Sequence, residues 1–100
     1  MSNDNSDILE RLYAVIESRQ GADASSSYSA KLFAAGLPEI ARKVGEEAVE
    51  TITAALSGEG DVTAESADLL YHLLVLWAAA GIKPEDVWTE LARREGTSGI

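Results

Sequence analysis

The fold and the chemistry of this chain depend on the acidic segment Lys43-Val44-Gly45-Glu46-Glu47-Ala48-Val49-Glu50. Its three glutamates fall within five positions, and apolar sequence follows them. On a helix that turns by about 100° per residue, these glutamates and Lys43 occupy roughly a quarter of the circumference. Apolar residues form a second stripe on the far side of the helix: Val44, Ala48, Ile52 and Ala55. We therefore expect the acidic stripe to lie apart from the stripe that packs against the rest of the protein.

A second acidic pair occurs downstream, in Glu65-Ser66-Ala67-Asp68-Leu69-Leu70-Tyr71-His72. If this segment is helical, Glu65, Asp68 and His72 share one face. The rest of the circumference carries the apolar residues Leu69, Leu70, Leu73, Leu74, Val75, Leu76 and Trp77. A helix that is apolar on all sides is expected to be buried. A buried carboxylate must be paired or must coordinate a cation. The pattern therefore favours a functional role for Glu65 and Asp68.

Together the two segments offer five carboxylates for a metal site: Glu46, Glu47, Glu50, Glu65 and Asp68. Oxygen ligands suit Mg²⁺, with Mn²⁺ as an alternative, and five converging anions would repel one another without a cation. Such a site predicts metal-assisted attack of water on a phosphoanhydride, with a free glutamate taking the proton. The catalytic candidates are Glu46, Glu47 and Glu50, and which of them is the base stays open, as does the number of ions. The alternatives are a solvated acidic face paired with Lys43, and a carboxylate pair answered by Arg or Lys.

The candidates for substrate binding surround these carboxylates in sequence: Lys43, Lys31, Tyr28, Ser29 and His72. Lys43 could bind phosphate or pair with Glu47. A lone histidine in an apolar helix is more often a hydrogen-bonded supporting group than a ligand. A di-iron site is disfavoured because the chain has no Glu-x-x-His motif, and a serine–histidine–acid triad is disfavoured because it has no nucleophile elbow.

Composition limits which partners, chemistry and cellular location the chain can have. The chain has 100 residues, a net charge of −9 and no cysteine. The charge argues against a nucleic-acid partner, and the lack of cysteine excludes disulfides and thiolate chemistry. The polar first residues do not resemble a signal peptide, and the longest apolar stretch is too short to span a bilayer. We expect a cytoplasmic protein that does not bind membranes.

Capping and breaking residues predict a single all-α domain of four to five helices spanning residues 1–100. The first helix is expected after a cap at Asp4, Asn5 or Ser6, and it should end near Gly21. Gly36, Gly58, Gly81 and Gly96 mark later helix ends, Pro38 and Pro84 mark helix starts, and Asp61 or Thr63 is the expected cap of the fourth helix. Residues 1–6 and 97–100 are expected to be loose ends. Because the fourth helix has no polar face, we expect homodimerisation to complete the bundle.

The two acidic segments resemble the hallmark Glu-Glu-x-x-Glu followed by Glu-x-x-Asp of the all-α, MazG-like nucleoside triphosphate pyrophosphohydrolases. Within that superfamily the chain looks like phosphoribosyl-ATP pyrophosphohydrolase over roughly residues 8–99. Three further segments carry this resemblance: Tyr71-His72, Ser27-Tyr28-Ser29-Ala30-Lys31-Leu32-Phe33, and Leu91-Ala92-Arg93-Arg94-Glu95-Gly96-Thr97-Ser98-Gly99. Ser29 stands where the family usually has Thr, and many members continue beyond the position of Ile100.

This resemblance implies Mg²⁺-dependent hydrolysis of phosphoribosyl-ATP to phosphoribosyl-AMP and pyrophosphate, the second step of histidine biosynthesis. It assigns the metal site to the five carboxylates and supports the dimer. A housecleaning pyrophosphohydrolase for non-canonical nucleotides would share the metal motif. A non-catalytic helical dimer that binds a partner is the alternative of another class. The sequence does not show which side chains contact the ribose phosphates or whether a cyclohydrolase associates.

Overall fold

A computed structural model describes residues 5–97, which form five helices and no strand. The helices are α1 (Ile8–Ser18), α2 (Tyr28–Ala35), α3 (Leu37–Ser57), α4 (Val62–Ala80) and α5 (Pro84–Arg94). The all-α prediction is therefore confirmed. Within the described part of the chain, no helix combines the length and the hydropathy needed to cross a membrane.

The long helices α3 and α4 form an antiparallel pair that carries both acidic segments. Gly58 ends α3 in the left-handed conformation, and the Asp61 side chain accepts a hydrogen bond from the Ala64 amide at the start of α4. The connecting turn packs closely against α3, because a Cβ atom at Gly60 would lie 2.5 Å from the Cβ of Ala54. These contacts fix the register of the two helices.

The core lies between the C-terminal half of α4 and the other helices. Its buried cluster draws on α1, α2, α3 and α4: Tyr13, Ile16, Leu32, Ile40, Leu74, Val75 and Ala78. The Tyr13 hydroxyl donates to the Ile82 carbonyl at 2.9 Å, which ties α1 to the turn after α4. Helix α5 joins the bundle through an edge-to-face contact between Trp88 and Trp77, whose ring centroids are 6.0 Å apart.

Most predicted helix ends agree with the structure. Gly36 and Gly81 follow α2 and α4, and Pro84 begins α5. The start of α1 differs, because Asp7 occupies its cap position without a side-chain cap bond. The helix also ends at Ser18, before a short turn that reaches Gly21. Of the proposed caps, Asp4 lies outside the described residues, as do positions 1–3 and 98–100 of the predicted loose ends.

The prediction for the packing face of α3 was wrong. The residues that α3 buries are Ile40, Glu47 and Ala54, which are spaced by seven and therefore lie in one stripe. The acidic stripe thus reaches into the contact with α4. The apolar stripe that we expected to pack is largely exposed within this chain, and Ile52 is 57% exposed.

The expectation that α4 is buried on all sides was also wrong for the single chain. Only its C-terminal half, from His72 onward, contributes buried residues. The short helix α2 and helix α1 cover that half, whereas Asp68 is exposed and Glu65 is half-buried. Asp68 is therefore as accessible as an ordinary surface charge. Support for a functional role of Asp68 must come from the carboxylates beside it.

Candidate active site

The structure brings together all five predicted carboxylates at the contact between α3 and α4. They form two groups, within each of which ligand atoms lie within 4.8 Å of one another. The first group contains Glu46, Glu47 and Glu50, and the second contains Glu47, Glu65 and Asp68. Glu47 belongs to both groups. Helices α3 and α4 thus both contribute carboxylates to one acidic centre.

Glu47 is the centre of this arrangement. It is 7% exposed, and one of its carboxylate oxygens, Oε2, is buried without a hydrogen-bond partner. The Oε2 atom of Glu65 is also buried without a hydrogen-bond partner. A buried, unpartnered carboxylate oxygen is costly, and a cation relieves that cost. The donor set therefore fits a hard, oxygen-preferring ion such as Mg²⁺ or Mn²⁺.

Mutual repulsion and burial affect the protonation of this centre. Hydrogen bonding to Glu47, together with the charge of that neighbour, raises the pKa of Glu50. Burial chiefly raises the pKa of Glu65, and the charges of Glu50 and Asp68 raise it further. Both shifts disfavour the charged forms in the absence of a cation.

Glu46 differs from the other carboxylates because two cations hold it. Its oxygens accept hydrogen bonds from Lys43 Nζ at 3.0 Å and from Arg42 Nη1 at 2.9 Å. These bonds lower the pKa of Glu46. Lys43 Nζ also lies 3.7 Å from Glu47, so the pairing that was the alternative to phosphate binding by Lys43 is present.

A basic cleft of about 230 Å³ lies beside the acidic centre, between α2 and α3. Three predicted substrate-binding residues line it: Tyr28, Lys31 and Lys43. Arg42 and Glu39 line it as well, and the sequence analysis missed both. The detectable signal for Arg42 was its i,i+4 spacing to Glu46. Three cations and one carboxylate thus line the cleft, and Glu46 pairs with two of those cations, Arg42 and Lys43, from outside its lining.

The other predicted substrate-binding residues form an aromatic cluster behind the cleft. His72 is 5% exposed, and its Nε2 lies 3.0 Å from the Tyr28 hydroxyl. Ser29 is buried and shares a hydrogen bond with the hydroxyl of Tyr71, a residue to which sequence reasoning assigned no role. The rings of Tyr28 and Tyr71 stack with centroids 6.0 Å apart.

Comparison with known proteins identifies the group to which this arrangement belongs. The family described as phosphoribosyl-ATP pyrophosphohydrolase matches residues 9–95. The chain belongs to this family. The match includes every residue of the acidic centre and the basic cleft.

Curated relatives agree with this assignment. A protein of Paramagnetospirillum magneticum named phosphoribosyl-ATP pyrophosphatase is 64% identical over 96% of this chain and 89% of its own length. A protein of the same name from Azospirillum brasilense is 60% identical over 93% of this chain and 85% of its own length. One from Parvibaculum lavamentivorans, again of the same name, is 62% identical over 92% and 85%.

Proposed function

We propose that this chain hydrolyses phosphoribosyl-ATP to phosphoribosyl-AMP and pyrophosphate, the second step of histidine biosynthesis, in the cytoplasm. Family membership supports the reaction, and the relatives named above carry that substrate in their names. The observation that carries the chemistry is the convergence of two carboxylate groups on the buried Glu47. Their unpartnered oxygens fit the divalent cation that such a hydrolysis uses.

The residues that would hold the cation are Glu47, Glu65 and Asp68, which form one of the two groups, with Glu46 and Glu50 as further candidates. When bound, Mg²⁺ or Mn²⁺ polarises phosphoryl oxygens and lowers the pKa of coordinated water. Glu47 and Glu65 present buried oxygens that face this centre and have no hydrogen-bond partner. Asp68 and Glu50 are exposed, so they meet the substrate from the solvent side.

Among the catalytic candidates, Glu50 is the best placed to accept the proton from the attacking water. No ion pair holds it, whereas Lys43 contacts both Glu46 and Glu47. Glu50 is also exposed, so water can reach its carboxylate. Glu46 instead fixes Lys43 and Arg42, and so it joins the acidic centre to the cleft.

The basic cleft would receive the anionic part of the substrate. Lys31 and Lys43 supply positive charge, and Tyr28 supplies an aromatic wall. The pyrophosphate that leaves is strongly anionic, and fixed cations stabilise such charge where it develops. Ser29 and His72 lie behind Tyr28, and any direct contact between them and the substrate stays a prediction.

A homodimer is part of the proposal, and the exposed apolar face of α3 supports it. Val49, Ile52 and Leu56 lie within about 60° of one another on that helix, and Leu56 is 84% exposed. An apolar patch of this kind is typical of a protein interface. Val49 also lines a cleft of about 340 Å³ together with Glu50 and Glu65, so a second copy seated there would border the acidic centre.

The test is pyrophosphate release by the purified protein from phosphoribosyl-ATP, with ATP and dUTP in parallel. Each substrate is measured with Mg²⁺ and again with excess EDTA. We expect metal-dependent release from phosphoribosyl-ATP alone. Release only from the other nucleotides would indicate a housecleaning enzyme, and no release from any of them would indicate a non-catalytic helical dimer.

A further inference from the structure

The aromatic cluster between α2 and α4 contains a hydrogen-bonded chain that the proposed chemistry does not use. His72 Nδ1 lies 2.7 Å from the Asp68 carbonyl, and its Nε2 lies 3.0 Å from the Tyr28 hydroxyl. A carbonyl oxygen only accepts, so Nδ1 carries the proton and donates. In the neutral ring Nε2 then accepts, and Tyr28 donates to it. Both nitrogens of His72 are thus occupied within the chain.

Tyr28 is held from two sides but stays open to the cleft. Its hydroxyl is bonded to His72, and its ring stacks on Tyr71, which is itself bonded to Ser29. The side of Tyr28 that remains accessible borders the basic cleft beside Lys31 and Lys43, and the residue is 45% exposed. An aromatic ring that is fixed in this way suits contact with a nucleotide, because little side-chain entropy remains to be lost.

We propose that His72 is a positioning residue that acts on the nucleotide through Tyr28. Its Nδ1–H bond anchors it to the turn of α4 that carries Asp68, and its Nε2 holds the Tyr28 ring as a fixed wall of the basic cleft. The histidine therefore couples the register of the metal-binding helix to the substrate-binding helix α2. This inference rests on the proposed function, because the ligand of the cleft is the nucleotide of that reaction.

Two substitutions separate the two bonds of the histidine. In His72→Asn the side-chain amide can replace Nδ1 toward the Asp68 carbonyl, but nothing reaches Tyr28. In His72→Gln the longer side chain can place an acceptor near the position of Nε2. Tyr28→Phe keeps the ring and removes the hydroxyl. These variants and the double variant Tyr28→Phe/His72→Asn are compared by steady-state kinetics with phosphoribosyl-ATP at saturating Mg²⁺.

We expect KM to rise by about two- to tenfold in Tyr28→Phe and in His72→Asn, which corresponds to one lost hydrogen bond. The double variant should match Tyr28→Phe rather than the product of the two effects, since both single changes break the same contact. His72→Gln should recover most of the wild-type KM, and kcat should stay within about twofold throughout. A purely structural histidine would instead lower the melting temperature of His72→Asn without changing KM, and that result would overturn the proposal.

The hydrogen bonding of His72 can be measured without an activity assay. His72 is the only histidine in the chain, so an untagged, ¹⁵N-labelled sample gives a single imidazole pattern in long-range ¹H–¹⁵N spectra. We expect the Nδ1–H tautomer, and a Nε2–H tautomer would contradict the proposal. If the wild type releases no pyrophosphate from phosphoribosyl-ATP, the proposed function fails as well. If it does so while additive effects appear in the double variant, only the role of His72 fails.

Discussion

At the scale of single residues, the five carboxylates do not have equal surroundings. Glu47 is buried and belongs to both acidic groups, Glu46 is held by two cations, and Glu50 and Asp68 face solvent. The sequence predicted all five as one set because their spacing along two helices was sufficient to place them. It could not rank them, because ranking depends on which side of α3 meets α4.

Removing a solvent-facing carboxylate should stop the reaction without unfolding the protein. We expect Glu50→Gln and Asp68→Asn each to lower kcat by about 10² or more, because each loses an anionic oxygen that the neutral amide does not replace. Far-ultraviolet circular dichroism should be unchanged, since both side chains are exposed. Glu95→Gln, an exposed change at the end of α5, is the control. Near-normal kcat in both variants at saturating Mg²⁺ would refute the metal site.

The raised pKa values predict how pH affects the metal-free protein. A carboxyl whose pKa is higher in the folded state stabilises the fold below its ordinary value of 4.5 and loses that contribution as pH rises through the folded-state pKa. In EDTA, wild type should therefore lose stability relative to Glu65→Gln as pH rises above 4.5 and Glu65 ionises. Glu95→Gln should follow wild type. Thermal melts check this, and Mg²⁺ should reverse the order of wild type and Glu65→Gln at neutral pH. A difference that does not change with pH would contradict the shift.

At the scale of elements, capping residues and glycines predicted the order of the helices well. The sequence failed on the orientation of α3, which carries two apolar-compatible stripes. One contains the expected Val44 and Ile52, and the other contains Ile40 and Ala54 with Glu47 between them. Helical periodicity treats a carboxylate as polar, so it predicts that the stripe containing Glu47 faces solvent. In the structure the stripe that contains Glu47 is buried, and at its far end Ala54 packs against the turn at Gly60.

The turn between α3 and α4 should not tolerate a methyl group. In Gly60→Ala the new Cβ would lie 2.8 Å from the Cα of Ala54, so the backbone must shift, and we expect a loss of about 1–3 kcal/mol. Gly45→Ala is the matched control. It makes the same change inside α3, where no atom lies within 4 Å of the added Cβ, and it should stabilise the protein by up to about 1 kcal/mol. Urea unfolding of both variants measures the two effects, and equal stability would show that the turn is not tightly packed.

At the scale of the whole molecule, the described chain buries one end of α4 and leaves the other open. The apolar pattern predicts that α4 is buried on all sides, but a single copy does not bury its N-terminal half. Periodicity shows which positions of α4 are apolar, and it does not show whether another chain covers them. The exposed face of α3 and the open half of α4 are the surfaces that a second copy would cover.

Introducing a charge on the exposed face of α3 should therefore separate the two copies of the proposed dimer. We expect Ile52→Lys to shift the protein from dimer to monomer in sedimentation equilibrium, because a buried, unpaired ammonium group at an interface is costly. Val15→Lys, at an exposed apolar position on α1, is the control and should leave the mass unchanged. A wild-type protein that is monomeric at micromolar concentration would refute the dimer itself.

Two cations of the cleft, Arg42 and Lys43, and three of the five carboxylates lie on one helix, α3. Arg42 and Lys43 precede Glu46 and Glu47 by about one turn of α3 and Glu50 by about two, so the pitch of a helix, rather than a flexible loop, sets the distance between them. Helix α2 forms the other wall of the cleft and contributes none of the five carboxylates. Substitutions of α2 residues that line the cleft are therefore expected to alter which nucleotide is accepted without removing a carboxylate from the reactive centre. This division would allow related proteins to diverge in substrate without evolving the catalytic apparatus anew.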